Sequence, residues 1–120
     1  VIVALVLGLQ VMGLVDKLLS EEPYTWNKSR QDVIRDLTRK KGKDLVFVSY
    51  SRNHNPHQDW VYNKADIDHA EVIWARDLGH EKNRLLVEYY KDRNVWSILP
   101  DLNPPKLQRL SAMTPDFLSQ

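Results

Sequence analysis

A chain of 120 residues has room for one domain of ordinary size. Its 17 Lys+Arg against 16 Asp+Glu leave a formal net charge of +1, without the basic excess that a nucleic-acid binder carries. Cysteine is absent, which excludes disulfides and thiolate metal sites and leaves the redox compartment open. Four Trp and five Tyr point to a core and cleft built on aromatic side chains.

The chain opens on VIVALVLGLQVMGLV, residues 1–15, with no charge and only Gln10 as a polar side chain. It has neither the basic flank nor the small-residue cleavage site of a signal peptide. The run therefore reads as the end of a longer hydrophobic segment, residues 1–19, that leaves the membrane at Asp16 and Lys17. The alternative is a helix packed on the soluble domain. Such a helix interrupts its apolar run every three or four residues, and this one is apolar all round. Gly8 and Gly13 stand five apart and do not make the G-x-x-x-G pairing spacing. Residues 16–44 hold eight basic side chains, which by the positive-inside rule favours the cytoplasmic side. Most of them sit on a predicted helix rather than in a juxtamembrane loop, and six acids are interleaved.

Residues 20–28 read as a linker broken by Pro23, with Tyr24 and Trp26 suited to a membrane interface. A helix is predicted from Ser29, with Asp32 three residues on and Val33, Ile34 and Leu37 as its apolar stripe; Gly42 ends it. LVFVSYS, residues 45–51, is β-branched and aromatic and is the strongest strand signal. Residues 52–63 form a loop, and Asp66 to Ala70 a helical turn. EVIWARD (71–77) is a second strand and Glu81 to Asp92 a helix with Leu85, Leu86, Tyr89 and Tyr90 on one face. VWSIL (95–99) is a third strand, closed by Pro100 and Asp101. Residues 104–120, with three prolines, read as an extended tail.

These elements predict a small α/β domain over residues 29–103, built on a three-stranded, mainly parallel sheet of Rossmann-like or flavodoxin-like character. Strand, helix, strand implies that strands two and three pair in parallel, with the first strand in the same sheet. The exposed sheet edges should be covered by the tail, the linker or other parts of the protein.

Ligands of open parallel sheets bind beyond the carboxyl ends of the strands. There the sequence places Ser51, Arg52, Asn53, His54 and His57, then Arg76, Asp77 and His80, then Asp101. The plain alternative is that loops are polar anyway. His54-Asn-Pro-His57 near Asp59 has the residue types of a metal site, but Pro56 opposes a helical presentation and no second ligand pair stands at a fixed spacing, so solvated loop histidines are the expectation. Asp66-Ile-Asp68 matches the D-x-D pattern of divalent-cation sites in sugar-nucleotide enzymes. Two acids ahead of a helical turn also stabilise its N-terminus without any metal, and that reading is preferred. No phosphate-binding glycine loop and no nucleophile elbow occurs. No metal and no cofactor is therefore expected.

HNPHQDWVYNKADIDHAEVIWARD, residues 54–77, followed by DRNVWSILPD at 92–101, resembles the soluble C-terminal domain of bacterial membrane glycosyltransferases of the dolichyl-phosphate-mannose–protein mannosyltransferase type. The likeness covers about residues 28–110. Its distinctive strings are W-V-Y-N-x-A-D-I-D, Trp60 to Asp68, preceded by His54 and His57, and V-I-W-A-R-D, Val72 to Asp77. The resemblance implies a polytopic transferase using a lipid-linked sugar, with catalytic acids in loops of a membrane region that this chain lacks. It also implies an extracytoplasmic domain, against the charge cue. It assigns no catalytic role to the matched residues, so His54, His57, Asp66, Asp68, Arg76 and Asp77 stand as ligand-binding candidates only. The expected partners are the membrane and the remainder of the parent protein, and not nucleic acid. Three readings follow: a non-catalytic accessory domain of a membrane glycosyltransferase, a small enzyme or ligand-binding domain using the strand-end cluster, and a membrane-tethered interaction module.

Overall fold

The run LVFV is apolar at every position, which suits a strand covered on both faces and flanked on both edges. In the computed structural model, which describes residues 2–20 and 25–110, that strand is β1, Asp44–Val48, buried throughout. It is central: β2, Val72–Arg76, and β3, Asn94–Leu99, both pair with it in parallel, and β4, Lys106–Leu110, runs antiparallel along β3. The order β2-β1-β3-β4 corrects the three-stranded expectation in two ways. The second and third strands are parallel but lie on either side of β1. A fourth strand is formed by residues counted as tail.

That tail strand was disguised by composition. KLQRL carries three polar residues in five, because an edge strand has fewer neighbours to bury against. Its Leu107 still packs on one face of the sheet and Leu110 on the other. The turn leading into it contains a cis Asn103–Pro104 bond.

Side-chain alternation divides the core into two layers. Val46, Val48, Trp74, Trp96 and Ile98 point to the face covered by α2, Trp26–Thr38, and by Trp60 of the long β1–β2 loop. Leu45, Phe47, Ile73 and Val95 point to the face covered by α3, His80–Tyr89. The result is a three-layer α/β sandwich.

Helix α2 starts three residues before the predicted Ser29, so Trp26 packs against the core instead of marking a membrane interface. Its inward stripe is Trp26, Arg30, Val33, Ile34 and Leu37, an amphipathic spacing that includes a buried arginine. The helix gives way to a turn in which Gly42 has φ +98°. A Cβ there would also come within 3.1 Å of Asn94 Nδ2, so both conformation and space favour glycine. In α3 the predicted four-residue face divides: Leu86, Val87 and Tyr90 pack on the sheet, while Leu85 and Tyr89 are exposed. A 3-10 turn, Ile67–His69, sits where a helical turn was expected.

The opening segment forms helix α1, Ile2–Ser20, and its side chains from Ile2 to Asp16 are all exposed. It is therefore not a core helix of the domain. Among the described residues no helix is long and apolar enough to cross a membrane, and the expected end of a transmembrane helix at residues 1–19 is not confirmed. Pro23 and Tyr24 of the expected linker, and residues 111–120 of the expected tail, lie outside the described residues.

Candidate functional site

The parallel strands of the sheet diverge in their connections between β1 and β3, the kind of crevice where open α/β sheets hold ligands. At its carboxyl end Asp101, in the turn after β3, reaches across to the loop after β1. Its Oδ2 accepts the Ser51 backbone N–H at 2.7 Å and its Oδ1 lies 2.6 Å from His54 Nδ1. The Tyr50 ring stacks on the His54 imidazole at 3.8 Å. Tyr50 donates its hydroxyl to Asp59 Oδ1 at 2.8 Å and accepts the Trp60 backbone N–H at 2.7 Å. Arg76, at the end of β2, holds its guanidinium 5.7 Å from the Tyr50 ring. Beside it the Asp77 carboxylate accepts bonds from the Ser49 hydroxyl at 2.8 Å, the Asn83 amide at 2.8 Å and the Gly79 N–H at 3.0 Å.

Three carboxylates thus converge, and each is already occupied. The Val61 N–H and the Tyr50 hydroxyl hold Asp59 below the usual carboxylate range. Burial works to raise Asp77, but the bonds from Asn83, Gly79 and Ser49 outweigh it and the net shift is downward. Asp101 follows the same pattern, with burial opposed by His54 and Ser51. All three are therefore held ionised at neutral pH, and none is a carboxylic acid poised to give up a proton. Ser51 bonds Asp101 through its backbone N–H and accepts the His54 backbone N–H on its carbonyl at 3.2 Å, and among the described residues no hydroxyl–imidazole–carboxylate series of a catalytic triad runs through this cluster. What the arrangement offers is a rigid polar rim: an imidazole, a phenol ring and a guanidinium around fixed carboxylates.

Of the residues singled out by sequence, His54, Arg76, Asp77 and Asp101 come together here. His57 lies in the same loop, where its backbone N–H bonds Asn55 Oδ1 and its side chain is exposed. His80 opens α3, with a buried Nδ1 that has no hydrogen-bond partner among the described residues. Asp66 and Asp68 stand at the opposite, amino end of the sheet and face different partners. Asp66 bonds His69 Nδ1 at 2.9 Å, and Asp68 accepts the Tyr90 hydroxyl at 2.8 Å. The two acids do not share a partner, and Asp66 makes no side-chain capping bond. Among the described residues no cluster of three or more His, Asp or Glu is arranged to hold a metal ion.

Tyr50 and Arg30 carried no signal in the sequence, while Asp59 stood out only beside a metal reading and Asn63 only within a matched string. Arg30 is buried to 4 % exposure, donating from Nε to the Trp60 carbonyl at 3.1 Å and from Nη2 to the Tyr62 carbonyl at 3.0 Å. Its guanidinium lies 3.7 Å from the Tyr62 ring centroid and 4.5 Å from that of Trp74. Asn63 donates to the Trp74 carbonyl and accepts the Trp74 N–H, both at 2.8 Å. In this way it occupies the free edge of β2 as a neighbouring strand would. On the α3 side, Leu78, Leu85 and Tyr89 border an open apolar groove of about 400 Å³ with Arg76 and Lys82 at its margin.

The strings that carry the family resemblance are therefore largely internal braces: Trp60 in the core, Tyr62 on Arg30, Asn63 on β2, Asp68 on Tyr90 and Asp77 at the start of α3. No protein-family model, curated protein or solved structure matches the chain.

Proposed function

We propose that this chain is a membrane-anchored α/β domain that serves an integral membrane glycosyltransferase using a lipid-linked sugar donor, as its non-catalytic C-terminal accessory part on the extracytoplasmic side. The observation that carries the membrane half is α1, with 14 uncharged residues from Ile2 to Val15 exposed around its circumference. Apart from Gln10, such a surface is unfavourable in water and needs an apolar covering. At 1.5 Å per residue this stretch is about 21 Å long, against a hydrocarbon core of about 30 Å. In this proposal it is the emerging end of a longer spanning segment.

The accessory half draws on the resemblance at residues 54–77 and 92–101, together with the occupied state of the three strand-end carboxylates. A transferase acid or base needs a free proton site, and here each carboxylate is bonded within its own chain. The test is sugar transfer by the full-length parent with and without residues 25–120. Lowered activity or altered acceptor choice on deletion, with no transfer by the isolated domain, supports the reading. Unchanged activity and acceptor choice refutes it.

A second reading is favoured by one observation, the His54–Tyr50–Asp101 cluster at the strand crevice: a tethered domain that binds a small polar ligand there. A soluble saccharide or phosphorylated compound that shifts the His54 ring resonances, and fails to do so in Asp101→Ala, would support it. Unperturbed resonances across such compounds would set it aside.

A further inference from the structure

The order of the elements determines which end of the sandwich lies nearest the anchor. Helix α2 leads into β1 through the short turn 39–43, so its last turn lies at the amino end of the sheet. There the Lys40 ammonium stands 4.5 Å over the Trp96 ring, whose Nε1 bonds Asp44 at the start of β1. Its first turns lie toward the carboxyl end: Arg30 binds the Trp60 carbonyl, and the Tyr50 and Asp59 side chains act on its charge. A 13-residue helix is about 20 Å long, so the two ends of the domain are well separated. Residues 21–25 alone join the end of α1 to the start of α2. Their greatest reach is about 20 Å, which keeps the carboxyl end close to where α1 leaves the bilayer.

That end of the domain is also where leucines are exposed on loops. Leu78 follows β2 and is 59 % exposed; Leu99 and Leu102 border the turn after β3 at 39 % and 48 %. Arg52 and Arg76 are exposed among them. The nearby carboxylates Asp59, Asp77 and Asp101 are engaged by neutral donors of the chain and keep their charge, so the leucines and the two arginines have to carry the approach to phosphates. Leucine at loop tips with arginine beside it is the composition of a surface that rests in the headgroup and acyl boundary.

We propose that the carboxyl edge of the sheet is a lipid-facing surface, with Leu78, Leu99 and Leu102 entering the interface of the bilayer that holds α1 and with Arg52 and Arg76 at the level of its phosphates. This rests on the membrane reading above and adds an orientation to it: the His54–Asp101 cluster opens at the membrane surface, while Lys41 and Lys43 at the amino edge face water. A ligand of the cluster then has to be one carried at or near the bilayer surface.

The chain has no cysteine, so single spin labels can be placed by Leu9→Cys, Leu78→Cys, Leu102→Cys and Lys41→Cys in the full chain. The labelled proteins are reconstituted into vesicles of phosphatidylcholine and phosphatidylglycerol, and collision with oxygen is compared with collision with a water-soluble nickel chelate. The expected result is oxygen-dominated relaxation at Leu9, an intermediate ratio at Leu78 and Leu102, and chelate-dominated relaxation at Lys41. If Leu9 lies in lipid while Leu78 and Leu102 behave as Lys41 does, the orientation is wrong and the anchor stands. If Leu9 is itself open to the chelate, the membrane reading fails first and takes the orientation with it. Protection at Leu78 and Leu102 that disappears when protein is diluted in excess lipid would assign the surface to a second copy and overturn the proposal.

Discussion

Replacing Arg30 tests whether one guanidinium holds the long β1–β2 loop against the sheet. Its two hydrogen bonds to the carbonyls of Trp60 and Tyr62 come from a charged donor, each worth about 1.5–3 kcal/mol. The Tyr62 and Trp74 faces add about 0.5–1 kcal/mol each. Against this stands the cost of burying the cation, which also pulls its pKa below the ordinary value. Arg30→Met leaves the Trp60 and Tyr62 carbonyls without their donor, at about 1–3 kcal/mol each, and because the loop can relax toward solvent a total of about 3 kcal/mol is expected. For a domain of this size about 3 kcal/mol corresponds to a fall in Tm of about 12–24 °C. Arg30→Lys keeps the charge and stem but loses the two-pronged fork, and should lose about half as much. Thermal unfolding followed by tryptophan fluorescence reads both, since Trp60 and Trp74 lie at the affected contacts. A fall below about 4 °C for Arg30→Met would mean that the loop is held by Trp60 burial alone.

Removing residues 1–20 should change the unfolding free energy of the remaining domain by less than about 0.5 kcal/mol, because the α1 side chains from Ile2 to Asp16 are exposed; a larger loss in urea titrations would show that α1 packs on the domain. Asn63→Ala frees the Trp74 N–H and carbonyl on the outer edge of β2 and should cost about 1–2 kcal/mol, with increased self-association by light scattering; a variant as stable and as monomeric as the parent would refute the edge-clamp role. Burial raises the Asp44 carboxyl above its ordinary 3.8, in spite of the Trp96 Nε1–H bond. A raised acid favours folding while protonated and loses that contribution as pH rises through its folded value. Asp44→Asn keeps an acceptor for Trp96, so it should be the more stable protein at neutral pH and lose its advantage near pH 3. The depressed carboxylates Asp59, Asp77 and Asp101 act with the opposite sign. Their contribution is present above 3.8 and is lost as pH falls below it, so the whole chain should unfold on acidification in that range. Chemical denaturation as a function of pH checks both signs.

The parts of the fold that were legible in the sequence are those whose signal is local. LVFV is apolar at every position because β1 is covered on both faces, and VIWAR and VWSIL are nearly continuous apolar runs whose strands are buried at fewer positions. The strands' adjacency was not legible, since nothing in strand–helix–strand order says that a third strand will insert between the two. Helix α2 was started late because Pro23, Tyr24 and Trp26 read as a membrane-interface linker, and its inward Arg30 counts as polar until Tyr62 of the long loop and Trp74 of β2, 32 and 44 positions away, are brought to it. The candidate site was legible by rule, since polar residues follow the strands of an open sheet. Its actual pairing was not: His54 and Asp101 are 47 residues apart, and only the register of β1 against β3 makes them neighbours.

A conspicuous V-I-W-A-R-D string ending at a strand-end aspartate invites a catalytic assignment. Yet Asp77 spends its oxygens on Ser49, Gly79 and Asn83, and so ties the end of β2 to the loop after β1 and to the first turn of α3. Asp77→Ala would leave the Asn83 amide and the Ser49 hydroxyl short of an acceptor. With Asp77 itself solvent-exposed, water replaces part of what is lost, and the cost should be about 1–2 kcal/mol. Asp77→Asn retains an acceptor toward Ser49 or Gly79 and should lose less. A structural brace predicts that any loss of ligand binding or parent activity follows loss of stability across Asp77→Ala, Asp77→Asn and Ser49→Ala alike. If Asp77→Asn were as stable as the parent protein and still inactive, the charge of the carboxylate would be acting on something outside the chain, and the strand-end cluster would have to be read as chemistry instead of architecture.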